Sequence, residues 1–134
     1  MARILVAASP EPRAVVERIL AGHDLSGAET MAQAEQSLRE RTFDLIICTI
    51  VFDESKMFDL LQLAKSTPEW QRIPFVVARV RPHILRSPTA LRDAAFTCRT
   101  LGAEAFLDIA DYRVDQERKM REAIERLLDT TARS

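Results

Sequence analysis

Glycine is scarce in this sequence of 134 residues, which also lacks long apolar runs and an excess of charge of either sign. Its three glycines, Gly22, Gly27 and Gly102, do not form the phosphate-binding loop of Rossmann or P-loop enzymes. The 19 basic and 20 acidic side chains nearly cancel, so charge points to neither nucleic acid nor a membrane surface. No apolar run approaches the roughly 20 residues that span a bilayer, and Pro10 ends the N-terminal run. We therefore expect a cytoplasmic protein.

Cysteine and histidine are also scarce. Cys48 and Cys98 both lie in apolar stretches, which predicts buried free thiols and argues against a disulfide or a reactive pair. His23 and His83 are far apart in the chain, and neither has a second ligand at metal-binding spacing. Neither a metal nor another cofactor is therefore expected.

The sequence does contain an alternation of short apolar runs and amphipathic segments. The runs 4–8, 45–52 and 75–78 are too short for helices and rich in Val, Ile or Phe, which is typical of strands buried on both faces. Weaker segments at 25–29 and 104–108 complete a set of five predicted strands.

Helical periodicity fills the intervals between these strands. Apolar residues three or four positions apart predict five helices, at Val15 to Leu20, Ala34 to Leu38, Phe58 to Lys65, Leu91 to Leu101 and Met120 to Leu128. The segment 30–33 has the form of a capping box for the second helix, and Gly102 is suited to end the fourth.

Strict alternation of strand and helix implies right-handed crossovers and a parallel sheet covered by helices on both faces. We predict a three-layer, doubly wound (βα)₅ fold of the α/β class. The length suits a single domain over residues 1–134, in which the segment from Asp129 to Ser134 is expected to be a frayed tail.

Four segments of the sequence resemble segments of a known protein family. The segments 2–7, 43–49 and 73–77 resemble the first, third and fourth strands of receiver domains from bacterial two-component response regulators. The string at 101–107, Leu-Gly-Ala-Glu-Ala-Phe-Leu, is similar to the entry to the fifth receiver strand and is the most specific of the four. The resemblance implies a flavodoxin-like strand order 2-1-3-4-5, with the functional crevice at the carboxyl ends of strands one and three.

The residues with which a receiver accepts a phosphoryl group are replaced. The family needs a nucleophilic carboxylate, Mg²⁺ held by carboxylates, and a Lys and a Ser or Thr on the phosphoryl oxygens. The positions matching these groups here are Ala8 and Ser9, Thr49, Arg79 and Ile109. We therefore predict a non-catalytic receiver-like domain that is not phosphorylated at the usual site.

Residues 79–88 form a local basic loop that makes this part of the chain longer than in a typical receiver, and Arg81, His83 and Arg86 are its candidate anion-binding residues. The alternative is a solvated loop in which Pro88 starts a helix. If the loop and the crevice bind a ligand, the domain is a sensor of a small molecule or nucleotide. This hypothesis remains open beside the leading one.

Two further expectations depend on the strand order. Arg79 and Asp108 end neighbouring strands and are predicted to form an ion pair inside the crevice, and the alternative is that Arg79 points to solvent as part of the basic loop. In receivers the last two helices are the usual contact surface, so the resemblance implies a protein partner or a homodimer there, with Phe106 and Tyr112 as aromatic candidates. The hypothesis is therefore a signalling domain that acts through protein contacts and is not an enzyme.

Overall fold

The computed structural model describes residues 2–81, 84–109 and 114–132. Strands and helices alternate in these segments, in the order β1 (Arg3–Ala7), α1 (Pro10–Ile19), β2 (Asp24–Ala28), α2 (Met31–Glu40), β3 (Leu45–Thr49), α3 (Phe52–Ser55), α4 (Met57–Ser66), β4 (Phe75–Arg79), α5 (Pro88–Thr100), β5 (Ala105–Asp108) and α6 (Val114–Ala132). All the predicted strands are present, although β3 ends at Thr49 while the apolar run continues to Phe52.

The strands form one parallel sheet in the order β2-β1-β3-β4-β5, which confirms the predicted fold class and strand order. Every residue of β3 and β4 is buried, as the continuous apolar runs predict for central strands. One face of the sheet packs against apolar residues of α2, α4 and α5, and the other face against those of α1 and α6. The sheet is therefore the middle of three layers.

The capping residues in the sequence mark where helices start and end. The Thr30 side chain accepts a hydrogen bond from the amide of Gln33 and starts α2, and the Ser87 side chain caps α5 in the same way. Gly102 follows α5 with a φ of +107°, a left-handed conformation that favours glycine. A Cβ there would also lie 3.1 Å from Cγ of Lys65 on α4, a tight contact that the lysine side chain would have to relieve.

The turn after β3 has a left-handed backbone. Asp53, Glu54 and Ser55 all have positive φ, at 44°, 55° and 72°, so α3 is a short left-handed turn before α4. The Asp53 carboxylate holds this turn by accepting a hydrogen bond from the amide of Met31 at 2.9 Å. This side chain reaches the start of another helix, and a local pattern cannot reveal such a contact.

The last helix, α6, extends into the segment that was predicted to be a tail. The tail predicted to fray from Asp129 is helical as far as Ala132. The physical reason is that α6 packs against the sheet through Met120 and Ile124, with Leu128 at the edge of the same cluster, and no glycine or proline interrupts it. Within the described residues, no helix combines the length and apolarity needed to cross a membrane.

Both cysteines are buried free thiols in the core between the sheet and the α2, α4 and α5 layer, which confirms that prediction. Burial raises the pKa of Cys98 to about 11. Burial, together with repulsion from Cys98, raises the pKa of Cys48 well above its ordinary value. Both groups are therefore neutral thiols near pH 7.

Candidate functional site

The carboxyl ends of the parallel strands meet at one edge of the sheet, next to the start of α1. Four positions identified from the resemblance, Ala8, Thr49, Arg79 and Ile109, lie at this edge and are buried. Ser9, the fifth, is half-buried and is the N-cap of α1, although its side chain makes no capping hydrogen bond. None of these side chains is acidic, so the crevice is not built from carboxylates.

A guanidinium group occupies the end of β4. The sheet pairs Arg79 directly with Asp108 on β5, and Nη1 of Arg79 lies 3.0 Å and 3.1 Å from the two oxygens of that carboxylate. Nε of Arg79 also donates to the carbonyl of Ile84 at 2.6 Å. The strand register and the loop after β4 therefore hold a nearly buried cation, whose side chain is 9% exposed, at the crevice.

A second arginine connects the same loop to α1. Nη2 of Arg81 lies 2.5 Å from Oε2 of Glu11, in the first turn of that helix. The Arg81 side chain is 35% exposed and that of Glu11 is 82% exposed, so water reaches this pair and the pair contributes little to stability. Its geometric effect is to bridge the mouth of the crevice.

Thr49 has an unsatisfied hydroxyl at the floor of the crevice. The residue is 2% exposed, and its Oγ1 has no hydrogen-bond partner. A void of about 10 Å³ lies beside it, lined also by Pro12, Arg79, Arg81 and Ile84. A space of this size takes roughly one water molecule. A water there could satisfy the hydroxyl, since buried polar groups normally have a hydrogen-bond partner.

Three carboxylates near this edge already have partners. Glu11 contacts Arg81, Asp108 contacts Arg79, and Asp53 accepts the amide of Met31. Within residues 2–81, 84–109 and 114–132, no group of three His, Cys, Asp or Glu side chains could hold a metal ion. The void beside Thr49 has room for roughly one water molecule, and the two arginines that line it are paired with Asp108 and Glu11.

No family model matches the sequence, and no curated protein matches it. Solved structures do match. The signal receiver domain of a histidine kinase from Syntrophus aciditrophicus is 21% identical, with a TM-score of 0.78 over 100% of this chain and 95% of that one. A response regulator from Hahella chejuensis is 22% identical, with a TM-score of 0.74 over 96% and 95% of the two chains.

The fold is that of a response-regulator receiver domain. A receiver domain protein from Clostridium thermocellum supports this assignment at a TM-score of 0.75, 17% identity and 98% coverage of both chains. At such identities the likeness concerns the fold. The crevice described above lies at the carboxyl ends of the strands, and its function must be argued from its residues.

The structure does not gather the other candidate residues at this site. Arg86 is exposed, while Arg79 and Arg81 contact carboxylates of the chain itself, so two arginines of the basic loop turn inward. Phe106 is half-buried and packs against the core cluster that contains Cys98. His83 and Tyr112 lie outside the described residues.

Phe96 is a surface residue that the sequence argument missed. It is 71% exposed on α5, more than any other large hydrophobic side chain in the described part of the chain. Helical periodicity could have predicted this exposure, because the apolar stripe of α5 runs through Ala95 and Cys98 and Phe96 lies outside it. A large aromatic outside the stripe marks a place where a partner could bury it.

Proposed function

We propose that this chain is a receiver-type signalling domain that acts through protein contacts and is not phosphorylated at the usual site. The observation that carries the proposal is the ion pair of Arg79 with Asp108 at the crevice, together with the absence of acidic side chains at positions 8, 9 and 49. We further propose that the protein is cytoplasmic and not an enzyme.

The physical argument concerns charge. Mg²⁺ keeps an ordered oxygen shell and binds proteins mainly through carboxylates. Here a hydroxyl and a methyl group stand at Ser9 and Ala8, and the nearby guanidinium of Arg79 repels a divalent cation. A phosphoryl acceptor also needs a nucleophile, which the buried hydroxyl of Thr49 does not supply without a neighbouring base.

The partner surface that this proposal favours is formed by α5, β5 and α6. All of β5 is half-buried at the edge of the sheet, and α5 has a single fully buried residue, Cys98. Beside them lies the exposed ring of Phe96. A stable protein interface buries on the order of 1,600 Å² in total and is usually centred on aromatic or arginine anchors.

Replacement of Phe96 by Ser tests this surface. Measurements of oligomeric state by light scattering, and crosslinking in cells, are expected to show self-association or a partner that Phe96→Ser weakens by roughly tenfold or more. The control is Phe58→Leu on α4, because Phe58 is half-buried against the core and does not belong to α5, β5 or α6. A monomeric protein whose crosslinks fall only on α1 contradicts the proposed surface.

The unsatisfied hydroxyl of Thr49 favours a second candidate function, a sensor of a small anion or nucleotide that uses the crevice and the basic loop. Release of Arg81 from the exposed Glu11 would open the void toward solvent. Thermal shift against inorganic phosphate and a panel of nucleotides separates the two functions, because a ligand of the native state raises the melting temperature. A sensor gains stability, more so in Glu11→Gln, whereas a pure contact domain does not.

A further inference from the structure

A second depression lies at the opposite edge of the sheet from the crevice. A groove with a volume of about 1040 Å³ runs between the residues that precede β1, β3 and β4 and the second half of α6. Five apolar residues form much of its lining: Ala2, Phe43, Ile73, Pro74 and Leu128. This volume is at the upper end of the range of about 300–1,000 Å³ found for small-molecule sites.

Carboxylates on the rim of this groove already have partners. Asp44 accepts the amide of Arg3 at 2.8 Å. Glu125 lies 3.3 Å from Nε2 of His23 and 3.4 Å from Nε of Arg121. Glu122 and Asp129, the other acids of the rim, are engaged as well. Glu122 and Glu125 are therefore paired with arginines of the same helix, so neither of these acids is left for a cation.

Two guanidinium groups on the same rim differ from these carboxylates. The side chains of Arg72 and Arg126 line the groove and belong to exposed residues. Neither makes an ion pair or a side-chain hydrogen bond within the described parts of the chain, although most other arginines there do. Two cations without carboxylate partners above an apolar floor complement a ligand that is anionic at one end and apolar along its body.

We propose that this groove binds a small carboxylate with an apolar body, whose head group is bound by Arg72 and Arg126. An inorganic anion would use the guanidinium groups and leave the apolar floor in contact with water. A neutral apolar molecule would leave both cations without a partner. The site is independent of the crevice, and the inference does not rest on the proposed signalling function.

Decanoate is the probe for this proposal, and acetate and decyltrimethylammonium are its matched controls. Acetate has the head group without the chain, and the ammonium compound has the chain with the opposite charge. Calorimetry is expected to show binding of decanoate alone, with backbone amide shifts in NMR spectra at residues 43–44, 72–74 and 122–129. Arg72→Gln combined with Arg126→Gln is expected to weaken binding of decanoate roughly tenfold or more, because the charge-assisted hydrogen bonds to its carboxylate are lost.

The control variant is Arg92→Gln combined with Arg99→Gln, which removes the same charge from two exposed arginines on α5, outside the groove. It is expected to leave decanoate affinity within about twofold of the parent, since long-range charge effects are screened. Equal weakening in both double variants overturns the site. Binding that maps to the surface around Phe96, or acetate and the ammonium compound binding as well as decanoate, overturns it too.

Discussion

Replacing Asp108 with alanine removes the carboxylate that faces the nearly buried guanidinium of Arg79. Removal of one member of a fully buried pair costs about 3–5 kcal/mol, because the other charge stays desolvated, whereas exposed pairs contribute about 0–1 kcal/mol. This pair lies between the limits, with side chains 9% and 30% exposed, and Arg79 keeps its bond to the Ile84 carbonyl. We expect Asp108→Ala to lower the free energy of unfolding by about 2 kcal/mol.

The reverse change is expected to cost less. Arg79→Met removes the buried cation and fills much of its volume, and the carboxylate it leaves behind is exposed enough to be hydrated. We expect a loss of about 1 kcal/mol or less. In the Arg79→Met background, Asp108→Ala should then lower the free energy of unfolding by less than about 0.5 kcal/mol, because no buried guanidinium remains to be left without its partner.

Urea unfolding followed by circular dichroism measures all these changes. The control is Asp24→Ala, because Asp24 pairs with Arg3 at 3.8 Å with side chains 47% and 58% exposed. It should change the free energy of unfolding by less than about 0.5 kcal/mol. The reasoning is refuted if Asp108→Ala costs no more than this control, or if Arg79→Met costs as much as Asp108→Ala.

Two other predictions concern stability and thiol chemistry. Lys65→Met should lower the free energy of unfolding by about 2 kcal/mol. The Lys65 side chain is 14% exposed, and its Nζ donates to the carbonyls of Gln71 and Ile73 and contacts Glu104 at 2.9 Å. The prediction is wrong if urea unfolding shows a loss no larger than the loss from replacing an exposed lysine by Met. Burial raises the folded pKa of Cys98 from 9.0 to about 11, so its contribution to stability is full below pH 9 and is lost as the pH rises toward 11. Cys98→Ala should therefore flatten the stability curve in that window, and a thiol reagent that modifies the native protein rapidly at pH 7 would contradict the burial.

Most of the fold followed from local patterns. Continuous apolar runs marked β3 and β4 because a central parallel strand is buried on both faces, and Gly102 marked the end of α5 because only the left-handed region fits there. The left-handed turn at residues 53–55 was not predicted, because the hydrogen bond that holds it comes from the amide of Met31, which is distant in the sequence.

The site was only partly accessible to such reasoning. Neighbouring strand ends suggested that Arg79 and Asp108 could meet, since the sheet order fixes which ends are adjacent. The contact of Arg81 with Glu11 depends on the path of a loop across the crevice, which no local periodicity encodes. The solvated-loop alternative for residues 79–88 and the anion-binding one both described Arg81 as facing outward, whereas its contact with Glu11 holds it across the crevice.

The central claim, that this receiver fold does not accept a phosphoryl group, is tested most directly by incubation with acetyl phosphate and Mg²⁺ followed by intact-protein mass spectrometry. A receiver domain with its acidic residues intact serves as the positive control in the same buffer. The replacement of carboxylates at Ala8, Ser9 and Thr49 predicts an unchanged mass for this protein while the control gains a phosphoryl group. A labile phosphoryl adduct on any aspartate of this chain would contradict the account.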